Sequence, residues 1–261
     1  MKMLRTIREV RELPREGTVG LVPTMGAFHE GHLSLFRAAR AECGLVVVSL
    51  FVNPAQFGPH EDLERYPRDE AHDARLADDA GVDVLFAPAA DELYPADFRT
   101  WIDPEGTGAE GAHRPDHFRG VATVCLKLFN IVRPNIAYFG QKDAQQATVL
   151  RQMVRDLNLE LVVRLLPTVR DADGLALSSR NAYLSAQERD RALGLPQALA
   201  TGRNAHERGD DPVTAARAAL NGLDPDYVEV VDLGDARLLA AAARVGSTRL
   251  IDNIVLEGEL R

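Results

Sequence analysis

Short apolar runs alternate with helix-spaced apolar positions over the first two-thirds of the chain. Thr18 to Val22 predicts a strand. The almost unbroken LVVVSLFV from Leu45 to Val52 predicts one covered on both faces, as in a parallel sheet. Val82 to Phe86, Ile136 to Phe139 and Leu161 to Leu166 predict further strands. Between them, Leu33, Leu35, Phe36 and Ala39 mark one helix and the stretch from Asp69 to Ala80 another. Val121, Val124, Cys125, Leu128, Phe129 and Val132 keep to one helix face until Pro134 stops it. Ala147, Leu150, Val154 and Leu157 mark the next. Strands alternating with helices predict a doubly wound α/β layer.

The pattern changes near Gly174. Residues 178–209 begin as a loop and become a polar helix with Ser185 as its N-cap. A helix near Pro212 to Leu220, with strands near Tyr227 to Val231 and Thr248 to Leu256, predicts a smaller C-terminal α+β unit. A boundary near Ala176 divides residues 1–175 from 176–261. The Gly-rich EGTGAEG at 105–111 predicts a flexible loop.

Four polar loops begin where predicted strands end: Pro23 to His32, Asn53 to Gln56, Gly140 to Asp143, and Thr168 to Arg170. Ligands of open parallel sheets collect at that edge, so the four loops imply one shared site. His29-Glu30-Gly31-His32 opens a helix, whose free N–H groups and partial positive charge suit a phosphate. The same two imidazoles also fit a zinc half-site or an ordinary surface pair, although neither cysteine sits at useful spacing for a metal. Lys142 offers a point charge beside Asp143. Ser178-Ser179-Arg180, expected in a mobile loop after Gly174, offers two hydroxyls and a guanidinium. Gln56 and Gln146 can donate and accept together toward a hydroxylated carboxylic acid. Gln145 lies about 100° further around its helix, so one of the pair should face the site. His60, His72, His113, His117 and His206 match no spacing and are expected to be structural or solvated.

Composition narrows the class. A chain of 261 residues, 46% hydrophobic and 26% charged, has enough apolar material for a large core and is not a disordered sequence. No apolar run approaches the roughly 18 residues of a membrane span, and the N-terminal segment lacks a signal-peptide core. With Cys43 and Cys125 as its two cysteines, the chain has no disulfide framework, and a cytoplasmic location is expected. A net charge of −9 argues against a nucleic-acid partner while leaving room for a local cationic pocket. Lys2, Lys127 and Lys142 are the lysines among 30 basic side chains, which singles out Lys142.

VPTMGAFHEGH (22–32), FVNPAQFGPHEDLERYPR (51–68), HFRGVATVCLKLFNIVRPNIAYFGQKDAQQ (117–146), PTVRDADGLALSSRNAYLS (167–185) and VGSTRLIDN (245–253) resemble the pantoate–β-alanine ligase family. The segments occur in the family's order over most of the chain. The family belongs to the HxGH nucleotidylyltransferases, so the resemblance implies a Rossmann-like core, a C-terminal lid domain and a homodimer. It implies ATP as a substrate with Mg²⁺, and pantoate and β-alanine as partners, joined through a pantoyl adenylate with release of pyrophosphate and AMP. By motif position, ATP falls to Met25, Gly26, Ala27, Phe28, His29, Glu30, Gly31, His32, Gly140, Gln141, Lys142, Asp143, Val169, Leu177, Ser178, Ser179 and Arg180. Pantoate falls to Gln56 and Gln146, with Gln56 also near β-alanine. His32 matches the family's proton donor; His32, Lys142 and Arg180 carry the expected charge chemistry. Leu177, Gln141 and Asp116 stand where methionine, glutamate and glycine are frequent. Alternatives are an HxGH nucleotidylyltransferase acting on a phosphate substrate, and a non-catalytic nucleotide- or metal-sensing protein.

Overall fold

Val46, Val47 and Val48 are fully buried because both faces of their strand are covered by helices. The computed structural model describes residues 1–59, 61–105, 108–233 and 236–259. In chain order the first layer comprises β1 (Lys2–Leu4), α1 (Ile7–Arg11), β2 (Val19–Thr24), α2 (Glu30–Glu42), β3 (Leu45–Leu50), α3 (Glu70–Asp79) and β4 (Val84–Phe86). It continues with α4 (Ala90–Leu93), α5 (Gly108–His113), α6 (His117–Val132), β5 (Ile136–Gly140), α7 (Ala144–Asp156) and β6 (Val162–Leu166). These strands form a six-stranded parallel sheet in the order β1-β4-β3-β2-β5-β6. Leu35, Phe36, Ala39 and Ala77 of α2 and α3 pack on one face, and Val121, Leu128, Leu150 and Met153 of α6 and α7 on the other. The doubly wound arrangement follows the alternation of the sequence.

The C-terminal part holds α8 (Ala186–Ala192), α9 (Gly194–Glu207), α10 (Pro212–Ala219), β7 (Asp224–Leu233), β8 (Ala236–Val245) and β9 (Thr248–Gly258). Its strands make a three-stranded antiparallel sheet in that order. One face packs on Leu195, Ala198, Leu199 and Ala216. The other reaches the first layer through Ala109 and Ala144.

Several elements differ from the sequence expectation. β1 and α1 carry no long apolar pattern; Thr6 and Glu9 close α1 with a reciprocal cap. The expected single polar helix is two, capped by Ser185 as expected and broken near Leu193. Pro196 has no N–H to offer the carbonyl of Ala192, which accounts for the break. Of the expected loop at 105–111, residues 108–111 are helical and bury Glu110; 106 and 107 lie outside the described residues. β8 escaped because its run of alanines reads as helix, the state alanine favours most. It is a strand because it is buried on both faces and small side chains fit between them.

A short helical turn at Pro54–Gln56 sits directly on α6. A methyl at Gly120 would lie 2.2 Å from the carbonyl oxygen of Ala55, whereas one at Gly140 would meet nothing within 4 Å. Gly120→Ala should therefore cost about 1–3 kcal/mol by overpacking. Gly140→Ala should move the urea midpoint much less. Equal midpoints for both variants would show that the turn yields freely.

Candidate active site

β2 leads to α2 on one face of the sheet and β5 to α7 on the other, so their carboxyl ends open into a crevice. A cavity of about 340 Å³ lies there, walled by residues from all four loops, from α6 and from the C-terminal sheet.

The β2–α2 loop is shaped by two consecutive left-handed residues, Gly26 (φ 88°) and Ala27 (φ 52°). The carboxylate of Asp73, on α3 and 1% exposed, accepts the N–H groups of Ala27 (2.8 Å) and Phe28 (2.7 Å). This brace places His29 as the cap of α2. Nδ1 of His29 accepts from the Gly31 N–H at 3.1 Å, and Nδ1 of His32 from the His29 N–H at 3.3 Å. In each neutral ring the proton must then sit on Nε2. Burial, reinforced by Lys142, pushes His29 down to about 4. Burial, with His29 and Lys142, holds His32 well below its ordinary value. The proton donor expected at His32 is thus a neutral hydrogen-bond donor near pH 7. Gly31 is needed by the imidazole itself: a methyl there would lie 2.9 Å from the His29 ring.

Cations reach the cavity already oriented. Lys142 Nζ lies 3.2 Å from Asp143 Oδ1. Arg180 donates to both oxygens of Asp62 at 2.9 Å from Nε and Nη2. Burial opposes that ion pair, yet Arg180 holds Asp62 below the usual carboxylate range. The serine segment is not an open loop. Leu177 donates its N–H to Val169, Gly174 turns the chain at φ 95°, and Ser179 Oγ donates to the Ala27 carbonyl.

Gln56 and Gln146 both line the cavity. Gln56 accepts from Asn53 Nδ2 at 3.0 Å and donates to Met25 Sδ at 3.1 Å. Gln145 also touches the cavity wall, but its amide oxygen accepts the Glu110 N–H. Met25, Gly31, Gly140, Asp143, Val169, Leu177 and Ser178 join the wall as well. Gly26, Ala27, Phe28, Glu30 and Gln141 do not. The first two act through their backbone, and Phe28 packs edge-on against Phe36. Glu30 is exposed and paired with Arg37, while Gln141 is engaged by Asn253.

Sequence reasoning missed Asp62, Asp73 and Glu110, named Asn53 only as the start of its loop, and expected His117 to be structural or solvated. His117 is a wall residue whose Nδ1–H donates to the Gln56 carbonyl at 3.0 Å, leaving Nε2 as an acceptor. Burial, with Arg114, lowers it to about 4. His72 is exposed, His113 lies against Tyr227, His206 contacts Glu257, and His60 is outside the described residues. Glu110 joins the two parts of the chain. Arg249 donates to both its oxygens (2.7 and 2.8 Å), Tyr227 donates at 3.0 Å and Arg114 at 3.3 Å. Burial opposes its ionisation, but Arg249 and then Arg114 hold it at about 2.

The unfolded chain protonates these imidazoles near pH 6.5, whereas the fold keeps His29 and His117 neutral down to about 4. Protons therefore favour unfolding between those values, and stability should fall as pH drops from about 6.5 to 4. His117→Asn, which keeps an N–H for the Gln56 carbonyl, should flatten that slope in thermal melts. An unchanged slope would mean that His117 does not titrate differently in the fold.

Known proteins are similar to this chain over nearly its whole length. The profile of the pantoate-beta-alanine ligase family matches residues 2–255. Pantothenate synthetase of Heliobacterium modesticaldum is 53% identical over 280 residues, covering 98% of this chain and 100% of the relative. A crystal structure of pantothenate synthetase from Thermus thermophilus superposes with a TM-score of 0.93 at 46% identity, covering 98% of this chain and 100% of that one. The pantoate–β-alanine ligase of Francisella tularensis, solved with β-γ ATP and β-alanine, has a TM-score of 0.84 at 34% identity, with 98% of each chain covered. The chain belongs to the pantoate–β-alanine ligase family.

Proposed function

We propose that the chain condenses pantoate with β-alanine in two steps at this cavity. The pantoate carboxylate attacks the α-phosphorus of ATP, the bond from that phosphorus to the α,β-bridging oxygen breaks, and pyrophosphate leaves. The β-alanine amine then attacks the acyl carbon of the pantoyl adenylate, losing a proton, and AMP leaves with the electron pair of the broken acyl–oxygen bond. One observation carries this reading. The Nε2–H groups of the two histidines, Lys142 and Arg180 come from three distant segments yet share one cavity wall with Gln56 and Gln146. Donors fixed before the reaction stabilise charge as it develops, at no reorganisation cost.

His32, Lys142 and Arg180 take the charge of the leaving pyrophosphate. Gln56 and Gln146 orient the hydroxylated acid. Mg²⁺ enters with ATP as the counter-ion of its phosphate oxygens. Among the described residues no group of three or more His, Cys, Asp or Glu is arranged to hold a metal. The division at residue 176 rests on the change of pattern there and the cytoplasmic setting on the two cysteines, while the roles of residues 1–175 as catalytic domain and 176–261 as lid, and the homodimer, rest on the family resemblance. No helix among the described residues is long and apolar enough to cross a membrane.

Pantoate alone should support exchange of labelled pyrophosphate into ATP. Exchange that instead required a phosphate ester would point to a nucleotidylyltransferase, and nucleotide binding without exchange to a sensor. Ala at His32, Lys142 or Arg180 should lower exchange by about 10²–10³, the usual loss of one preorganised donor. The same variants given preformed pantoyl adenylate should be affected far less. Equal losses in both half-reactions would remove the leaving-group role.

A further inference from the structure

We propose that Asn253, a buried residue of the C-terminal sheet, is the positioning residue for Lys142. The proposal rests on the adenylation role of Lys142 given above.

The turn that carries Lys142, Gln141–Asp143, has no side-chain cap at Gly140, and α7 has none at Asp143. Its carbonyls, by contrast, are held by a donor from across the molecule. Asn253 is 4% exposed, and its single Nδ2 donates to both the Gln141 carbonyl (3.0 Å) and the Lys142 carbonyl (2.9 Å). Its Oδ1 accepts from Gln141 Nε2 at 3.4 Å. A carboxamide nitrogen has two protons, and here each neighbouring carbonyl takes one. The isosteric aspartate would face the same two carbonyls with lone pairs, turning two attractions into two repulsions.

The tie continues along β9. The Asn253 N–H donates to Asp252 Oδ1 at 2.8 Å, and Asp252 accepts both arms of Arg170 at 2.7 and 2.9 Å. Arg170 directly follows Val169 in the wall. Two loops that meet the nucleotide are thus indexed to one strand of the other sheet. A misplacement of about 1 Å can cost 10²-fold in rate, so this bond sets where the ammonium meets the leaving group.

The test compares Asn253→Asp, Lys142→Ala and the double variant by pantoate-dependent pyrophosphate exchange, with circular dichroism and melting temperature as folding controls. Asn253→Asp should slow exchange about 10²-fold. Its pantoate KM and its rate from preformed pantoyl adenylate should stay within about threefold of wild type, a margin well below that loss. In the Lys142→Ala background it should cost little more, because both changes remove the same interaction. Asn253→Ala removes the donors without adding charge, and serves if the aspartate variant does not fold. Wild-type exchange in a folded Asn253 variant, or losses that multiply in the double variant, overturn the positioning role while leaving Lys142 in place. Wild-type exchange in Lys142→Ala would instead overturn the role of Lys142 itself.

Discussion

No helix can cover the shared carboxyl edge of β2 and β5, because the chain leaves these neighbouring strands toward opposite faces of the sheet. That geometric exclusion creates the crevice, and the remaining devices of the site manage what it exposes. Backbone that would otherwise lie open is braced by Asp73, by the histidine caps of α2 and by Asn253. The C-terminal sheet then closes the open side, with Glu110 as the buried carboxylate to which both halves are bonded.

The electrostatics depart from a plain cationic pocket. The chain carries a net −9, and three of the cavity's cations are matched by carboxylates: Asp143 to Lys142, Asp62 to Arg180, Glu61 and Glu110 to Arg114. An incoming polyphosphate meets charges whose directions are already set, and must offer more than the carboxylates do. The imidazoles divide the polar work by tautomer. His29 and His32 present Nε2–H donors, while His117 presents an Nε2 lone pair.

Much of the first layer was legible because each buried strand is an apolar run and each helix has a continuous apolar face. The four loops were legible because strand ends can be read from the sequence, and the family resemblance named residues within them. What escaped shares one cause: its meaning comes from contacts far along the chain. Asp73 reads as one more acid on a polar helix until the N–H groups of Ala27 and Phe28 meet it. Glu110 sits in a glycine-rich stretch that looks flexible, yet Arg249 makes it a buried hub. Asn253 lies within a strand, where an asparagine carries no signal until the turn at Gln141 is folded against it. β8 is the reverse case, in which local composition pointed clearly to the wrong state and tertiary burial decided.

The alanines of β8 act as a shim. Ala241 and Ala243 face the helices of the C-terminal part, whereas Ala240 and Ala242 lie on the other face beside Tyr227 and pack toward Ala109. Ala240 is also the cross-strand neighbour of Asn253, and Ala241 that of Asp252. Over Ala240 to Ala243 the strand is one methyl thick on each side, which sets how closely the sheet that carries Asn253 approaches the first layer. A larger side chain on the inner side would lift the gauge and every bond indexed to it. The fit of the loops at the cavity is thus machined into the smallest side chains of a neighbouring strand.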